Sequence, residues 1–176
     1  INTFAIAVAG TGGGAVGAAL AANVIVNTTE TEISDSDFDT ADTLTMTATS
    51  AAIIRSLAIG VSGSGGFAVQ VTAMGNVIAN TTAAAISGST VTAAGDITLT
   101  ATEESPSVIP FMDAADDYIT DPQTQTDLSN NLDDSPIPLN ANIVSVMVSV
   151  AGSGGVAVSG ALTGNVISNT IAASID

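Results

Sequence analysis

Cysteine, histidine, lysine and tryptophan are missing from this chain of 176 residues. Without cysteine there is no disulfide framework and no thiolate site for zinc or an iron-sulfur cluster. Arg55 is the only cationic side chain against 17 Asp and Glu, a formal net charge of -16. Nothing in such a chain can neutralise a run of phosphates and release their counterions, so nucleic acid is excluded as a partner. Anionic membrane surfaces are disfavoured for the same reason. Aromatic residues make up only 3%, too few for a bulky core or for platforms on which sugars stack.

These absences also narrow the chemistry. A general base or an activated nucleophile is hard to assemble without His, Lys or Cys. Paired carboxylates that could hydrolyse a glycoside remain at Asp116 and Asp117 and at Asp133 and Asp134. Adjacent Asp residues in an acidic stretch read as solvated rather than as opposed across a substrate. No enzyme activity is expected. No basic segment followed by an apolar one opens the chain at Ile1, so any secretion signal would lie outside this segment.

What the chain does contain is 46% hydrophobic residues, mostly Ala, Val and Ile, with 17 glycines. It is also a repeat. VAGTGGGAV at residues 8–16 returns as VSGSGGFAV at 61–69, an offset of 53, and the offset holds through ANVIVNTT and GNVIANTT to TLTMTAT and DITLTAT. A third, partial copy opens with SVMVSVAGSGGVAV from Ser145, offset by 89 from the second, so 36 residues have been inserted between them. The expected organisation is repeat 1 over residues 1–53, repeat 2 over 54–103, an insertion over 104–139 and repeat 3 over 140–176.

Within each copy apolar residues alternate, as in Phe4/Ile6/Val8, Leu57/Ile59/Val61 and Val146/Val148/Val150. A period of two predicts strands with one buried face. The repeat is too short for a self-sufficient sandwich, and it predicts about two coils of a parallel β-helix per copy, stacked ~4.8 Å apart on thin Val/Ile/Ala layers. Equivalent positions would then stack. Asn23, Asn76 and Asn165 are expected to form one polar ladder, and Asn27, Asn80 and Asn169 another, bonding turn backbone from coil to coil. Neither end carries a polar capping segment, so the stretch reads as a piece of a longer protein or as a subunit whose ends neighbours cover.

The insertion holds most of the prolines and many of the acids, and its composition predicts a surface excursion. Asp113, Asp116, Asp117 and Asp121 are the candidate metal ligands; hard oxygen donors of this kind would take calcium. Asp35, Asp37 and Asp39 also have alternate-residue spacing, but Thr40 and Met46 stand where a calcium loop needs Gly and Glu. Thr43/Thr45/Thr47/Thr49 and Thr98/Thr100/Thr102 would array hydroxyls on one face, a pattern an ice-binding surface needs and β-propensity alone also produces. The uncharged run over residues 4–26 is long enough to span a bilayer. Its glycines, two-residue period and lack of basic flanks argue instead for stacked strands and against a membrane span.

The strings GSGGFAV (residues 63–69), NVIANTTAAAI (76–86) and GSTVTAAGDITLTAT (88–102) resemble the modules of very large bacterial surface proteins of the filamentous-adhesin and haemagglutinin kind, including leukotoxin-like filamentous adhesins. The resemblance covers both full copies and the partial third, and leaves out the insertion. It implies a right-handed β-helix, exported across a Gram-negative envelope and displayed as a stalk or fibre, with no catalytic residues to carry over. The expectation is therefore an all-β, right-handed parallel β-helix (β-solenoid). It would serve as the extracellular structural shaft of an adhesin or cell-surface filament, require no cofactor and have itself as first partner. The alternative is a calcium-dependent module that binds a glycan or a cell-surface receptor through the acidic insertion.

Overall fold

The structure, a computed structural model, describes residues 1–104 and 141–176. It is all-β, with parallel strands and no helix among the described residues. In chain order the strands are β1 (Asn2–Thr11), β2 (Gly14–Ser34), β3 (Asp37–Thr40), β4 (Leu44–Ala51), β5 (Ile54–Ser64), β6 (Phe67–Ser87), β7 (Thr90–Ala93), β8 (Ile97–Glu104), β9 (Ile143–Ser153), β10 (Val156–Ile167) and β11 (Thr170–Ile175). Among the described residues no helix is long and apolar enough to cross a membrane.

Pairing follows the repeat. β1 lies parallel to β5 with Asn2 opposite Arg55, and β3 and β4 lie parallel to β7 and β8 with Asp37 opposite Thr90 and Leu44 opposite Ile97, all at the offset of 53. β5 meets β9, and β6 meets β11, at the offset of 89. Each copy is thus one layer, and the expectation of two coils per copy is corrected. β2 and β6 each run 21 residues in a single strand, which uses the length a second coil would have needed.

The described chain divides into two compact units that cut across the repeats. The first takes Ile1–Asn23, Ile53–Asn76 and, from the third copy, the described residues up to Asn165; the second takes Val24–Ala52, the described residues from Val77 to Glu104, and Val166–Asp176. Every copy therefore supplies strands to both.

In the first unit β5 sits between β1 and β9. A glycine turn then leads each copy into its next strand, and these turns stack backbone on backbone: Gly66 N–H donates to Gly13 O at 2.8 Å and Gly154 N–H to Ser64 O at 3.2 Å. A Cβ on Gly65 or Gly66 would stand 2.5 or 2.6 Å from the carbonyl oxygen of Gly12 or Gly13. The paired glycines are there because the layers approach too closely for a side chain. Thr11 Oγ1 closes its turn by donating to Gly14 O at 2.9 Å, and Ser64 Oγ does the same to Phe67 O.

The interior of this unit inverts the expected alternation. Ser56, Ala58, Gly60 and Ser62 of β5 are buried, as are Ala68, Gln70, Thr72, Met74 and Asn76 of β6. The large apolar residues stand outward in three rows: Phe4, Leu57 and Val146; Ile6, Ile59 and Val148; Val8, Val61 and Val150. Phe4 is 60% and Val8 76% exposed. The reason is room. A Cβ on Gly17 or Gly60 would lie 2.1 Å from the Gln70 amide, so beside Gln70 the facing strands have room only for small residues.

In the second unit large residues do face inward: Met46, Ile78 and Ile86 are buried, with Ala48 and Ala84 beside them in sequence on the same strands. Thr45, Thr47 and Thr49 of β4 lie opposite Thr98, Thr100 and Thr102 of β8, and all but the half-buried Thr102 are exposed. The turn after β2 holds Asp35 at φ 46, and the equivalent turn after β6 holds Gly88 at φ 56. Both adopt the left-handed conformation that Gly and Asp tolerate best, and Asp35 N–H donates to Ser87 O at 3.1 Å.

Candidate functional site

The most organised polar group lies inside the first unit. β2, β6 and β10 bring Asn23, Asn76 and Asn165 together, and β1, β5 and β9 bring up Thr3, Ser56 and Ser145 beside them. Each hydroxyl is 20 residues ahead of its asparagine, so each copy contributes one rung of the same two-column ladder.

Within the rungs Thr3 Oγ1 donates to Asn23 Oδ1, Ser56 Oγ to Asn76 Oδ1 at 2.9 Å, and Ser145 Oγ to Asn165 Oδ1 at 2.9 Å. Between rungs Asn23 Nδ2 donates to Asn76 Oδ1 at 2.6 Å and to Ser56 Oγ at 3.0 Å. Asn76 Nδ2 repeats the pattern, to Asn165 Oδ1 at 2.9 Å and to Ser145 Oγ at 2.7 Å. All inter-rung donors point from the first copy toward the third, so the amide dipoles align and each bond polarises the next. The ladder bonds side chain to side chain; it does not bond turn backbone as the sequence suggested. The hydroxyl column was missed, though its signal was legible: Thr3, Ser56 and Ser145 carry the same offsets of 53 and 89.

Asn27, Asn80 and Asn169 behave differently. Asn27 is exposed and stands outside the series. Asn169 Oδ1 accepts from the backbone N–H of Asn80 at 3.1 Å. Asn80 Nδ2 donates to Glu103 Oε1 at 2.8 Å, and Thr82 Oγ1 donates to Glu103 Oε2 at 3.3 Å. Glu103 stands opposite the buried Ser50 of the first copy. The carboxylate thereby serves two fully buried donors that an uncharged neighbour would leave with weaker acceptors.

No comparison, whether with protein-family models, with curated proteins or with solved structures, finds a match to this chain.

The candidate calcium ligands Asp113, Asp116, Asp117 and Asp121 lie outside the described residues, as do Asp133 and Asp134. Among the described residues no group of three or more Asp and Glu converges as a metal site. Asp37 and Asp39 are exposed on β3 opposite Thr90 and Thr92. The lone cation, Arg55, donates from one guanidinium nitrogen to Ala141 O at 2.8 Å and to Ile54 O at 3.3 Å, and burial lowers its pKa from the ordinary value. Ser62 Oγ, Gln70 Oε1 and Thr72 Oγ1 are buried without a protein partner. The arrangement is one of internal bracing, in which side chains tie successive copies together at fixed positions.

Proposed function

We propose that the chain is a shaft segment of an extracellular bacterial adhesin or surface filament, built as a right-handed parallel β-helix and continued or joined end to end. The observation that carries this reading is the parallel pairing of equivalent strands at the repeat offset, braced by a ladder in which every copy supplies the same Thr/Ser and Asn pair. Such a stack adds one copy at a time and gains the same strand and ladder bonds with each addition. Among the described residues β1 and β9 each pair on one side only, and unpaired strand edges are templates for further pairing. Mechanical stiffness would come from the continuous inter-strand hydrogen bonds, and resistance to proteases from the scarcity of charged or irregular segments in the strands.

Electron microscopy and fibre diffraction of purified material test the reading. Thin unbranched fibres with a meridional spacing of ~4.8 Å are expected, since strands in a stack lie across the fibre axis. Discrete particles that lack that spacing, and that gain thermal stability on adding calcium, would sink it in favour of a binding module centred on the acidic insertion.

A further inference from the structure

The outward rows of the first unit are the least expected surface of the molecule. The face of β1, β5 and β9 presents nine large apolar side chains in register, seven exposed and Leu57 and Ile59 half-buried, while the polar ones are turned inward. From the fractional exposures, the face shows on the order of 700 Å² of apolar surface, at or above the largest patch of an ordinary monomer and close to the ~800 Å² each partner contributes to a standard interface. Arg55 is the only ionisable side chain among the described residues of this unit, and the ten described Asp and Glu all belong to the other.

We infer that this face docks the same face of a second copy of this chain, sheet on sheet. Each copy presents rows of mostly β-branched side chains at one strand spacing, so the surfaces are self-complementary under a twofold axis and can pack ~10 Å apart as inner faces of sandwiches do. Among the described residues of this unit no acidic side chain adds charge repulsion to such docking. A lipid bilayer fits less well. Immersion in hydrocarbon would strand the outer N–H and C=O groups of β1 and β9, which sheet-on-sheet docking leaves in water. The inference concerns faces and not edges, and holds whether or not chains also join end to end.

Sedimentation velocity of the full chain over a wide concentration range is the test. Association is expected, strengthening at high salt as the remaining repulsion is screened. The variant Ile6→Thr/Ile59→Thr/Val148→Thr changes only outward side chains and keeps β-branching; it should retain the wild-type far-ultraviolet spectrum and associate at least roughly a hundredfold more weakly. Val8→Lys, at the most exposed position of the face, is the second variant and should act in the same direction. A wild-type chain that stays monomeric overturns the inference, as does association that both variants leave untouched, or flotation of the monomer with neutral phosphatidylcholine vesicles. Fibres of single width would remove the face pairing and spare the end-to-end reading; side-by-side dimers without fibres would do the opposite.

Discussion

Replacing Asn76 with Ala should be among the most damaging single truncations in the described chain, although it removes only a small polar side chain. Asn76 is fully buried and takes part in four ladder bonds, accepting from Asn23 Nδ2 and Ser56 Oγ and donating to Ser145 Oγ and Asn165 Oδ1. Each such bond contributes a net ~0.5–1.5 kcal/mol, and a buried donor left without an acceptor costs more. Ser56 Oγ is left in that position, because its acceptor is gone and Ser56 is itself buried. The total is about 3–5 kcal/mol. Asn165→Ala removes two bonds at an exposed position, where water replaces them, and should cost about 1 kcal/mol. With a urea m-value near ~2 kcal/mol per molar, the midpoints should fall by about 2 M and about 0.5 M respectively. Circular dichroism during urea titration reads both. Equal losses in the two variants, or a smaller loss for Asn76→Ala, would refute the ladder as the principal brace. A double-mutant cycle of Asn76→Ala with Ser56→Ala should show a coupling of about 1 kcal/mol, which unrelated sites would not.

Other substitutions test the packing of the layers. Gly66→Ala should destabilise by about 1–3 kcal/mol because its Cβ meets the Gly13 carbonyl, whereas Gly13→Ala, with open space around its Cβ, should stay within ~0.5 kcal/mol; thermal melts of the pair would expose an error if the order reversed. Gly17→Ala should be destabilising alone and substantially restored by Gln70→Ala, since the nearest atoms its Cβ would meet all belong to the Gln70 side chain; failure of the second change to rescue the first would show that something other than that contact limits the site. Glu103→Ala should cost about 2–3 kcal/mol by leaving Asn80 Nδ2 and Thr82 Oγ1 unpaired, and Glu103→Gln, which keeps an acceptor, about half of that; chemical denaturation would count against the assignment if the two variants behaved alike.

The strand content and the partners of the strands were legible from the repeat. An offset of 53 in the letters is the same offset that sets Phe4 beside Leu57 and Met46 beside Leu99. The number of layers per copy was not, because it depends on whether a long alternating segment such as residues 67–87 bends. It stays one strand, with Asn80, Thr81 and Thr82 carried within it. The first asparagine column was visible as a repeated letter. Its hydroxyl partners repeat at the same offsets, but a hydroxyl 20 residues earlier becomes a neighbour only once the glycine turn folds one strand over the next.

The face that points inward is the deeper case. Alternation with a period of two establishes that a strand has two unlike faces, and burial of the larger apolar set is the ordinary outcome. In the first unit the choice goes the other way because two constraints act before hydrophobicity does. The glycine turn offers little height, as the approach of Gln70 to Gly17 and Gly60 shows, and the Asn and Ser/Thr columns must be inside to find one another. Turning β5 over would place Leu57, Ile59 and Val61 in a space sized for Ser56, Ala58 and Gly60, and would take the Ser56 hydroxyl away from Asn23 and Asn76. The apolar rows are the remainder of that solution. They hold the cohesive surface that the interior does not use, so a partner that covers them supplies stability the isolated unit lacks. Melting temperature should therefore rise with protein concentration for the wild-type chain and be independent of it for Ile6→Thr/Ile59→Thr/Val148→Thr; a concentration-independent wild-type melt would mean that the thin interior suffices by itself.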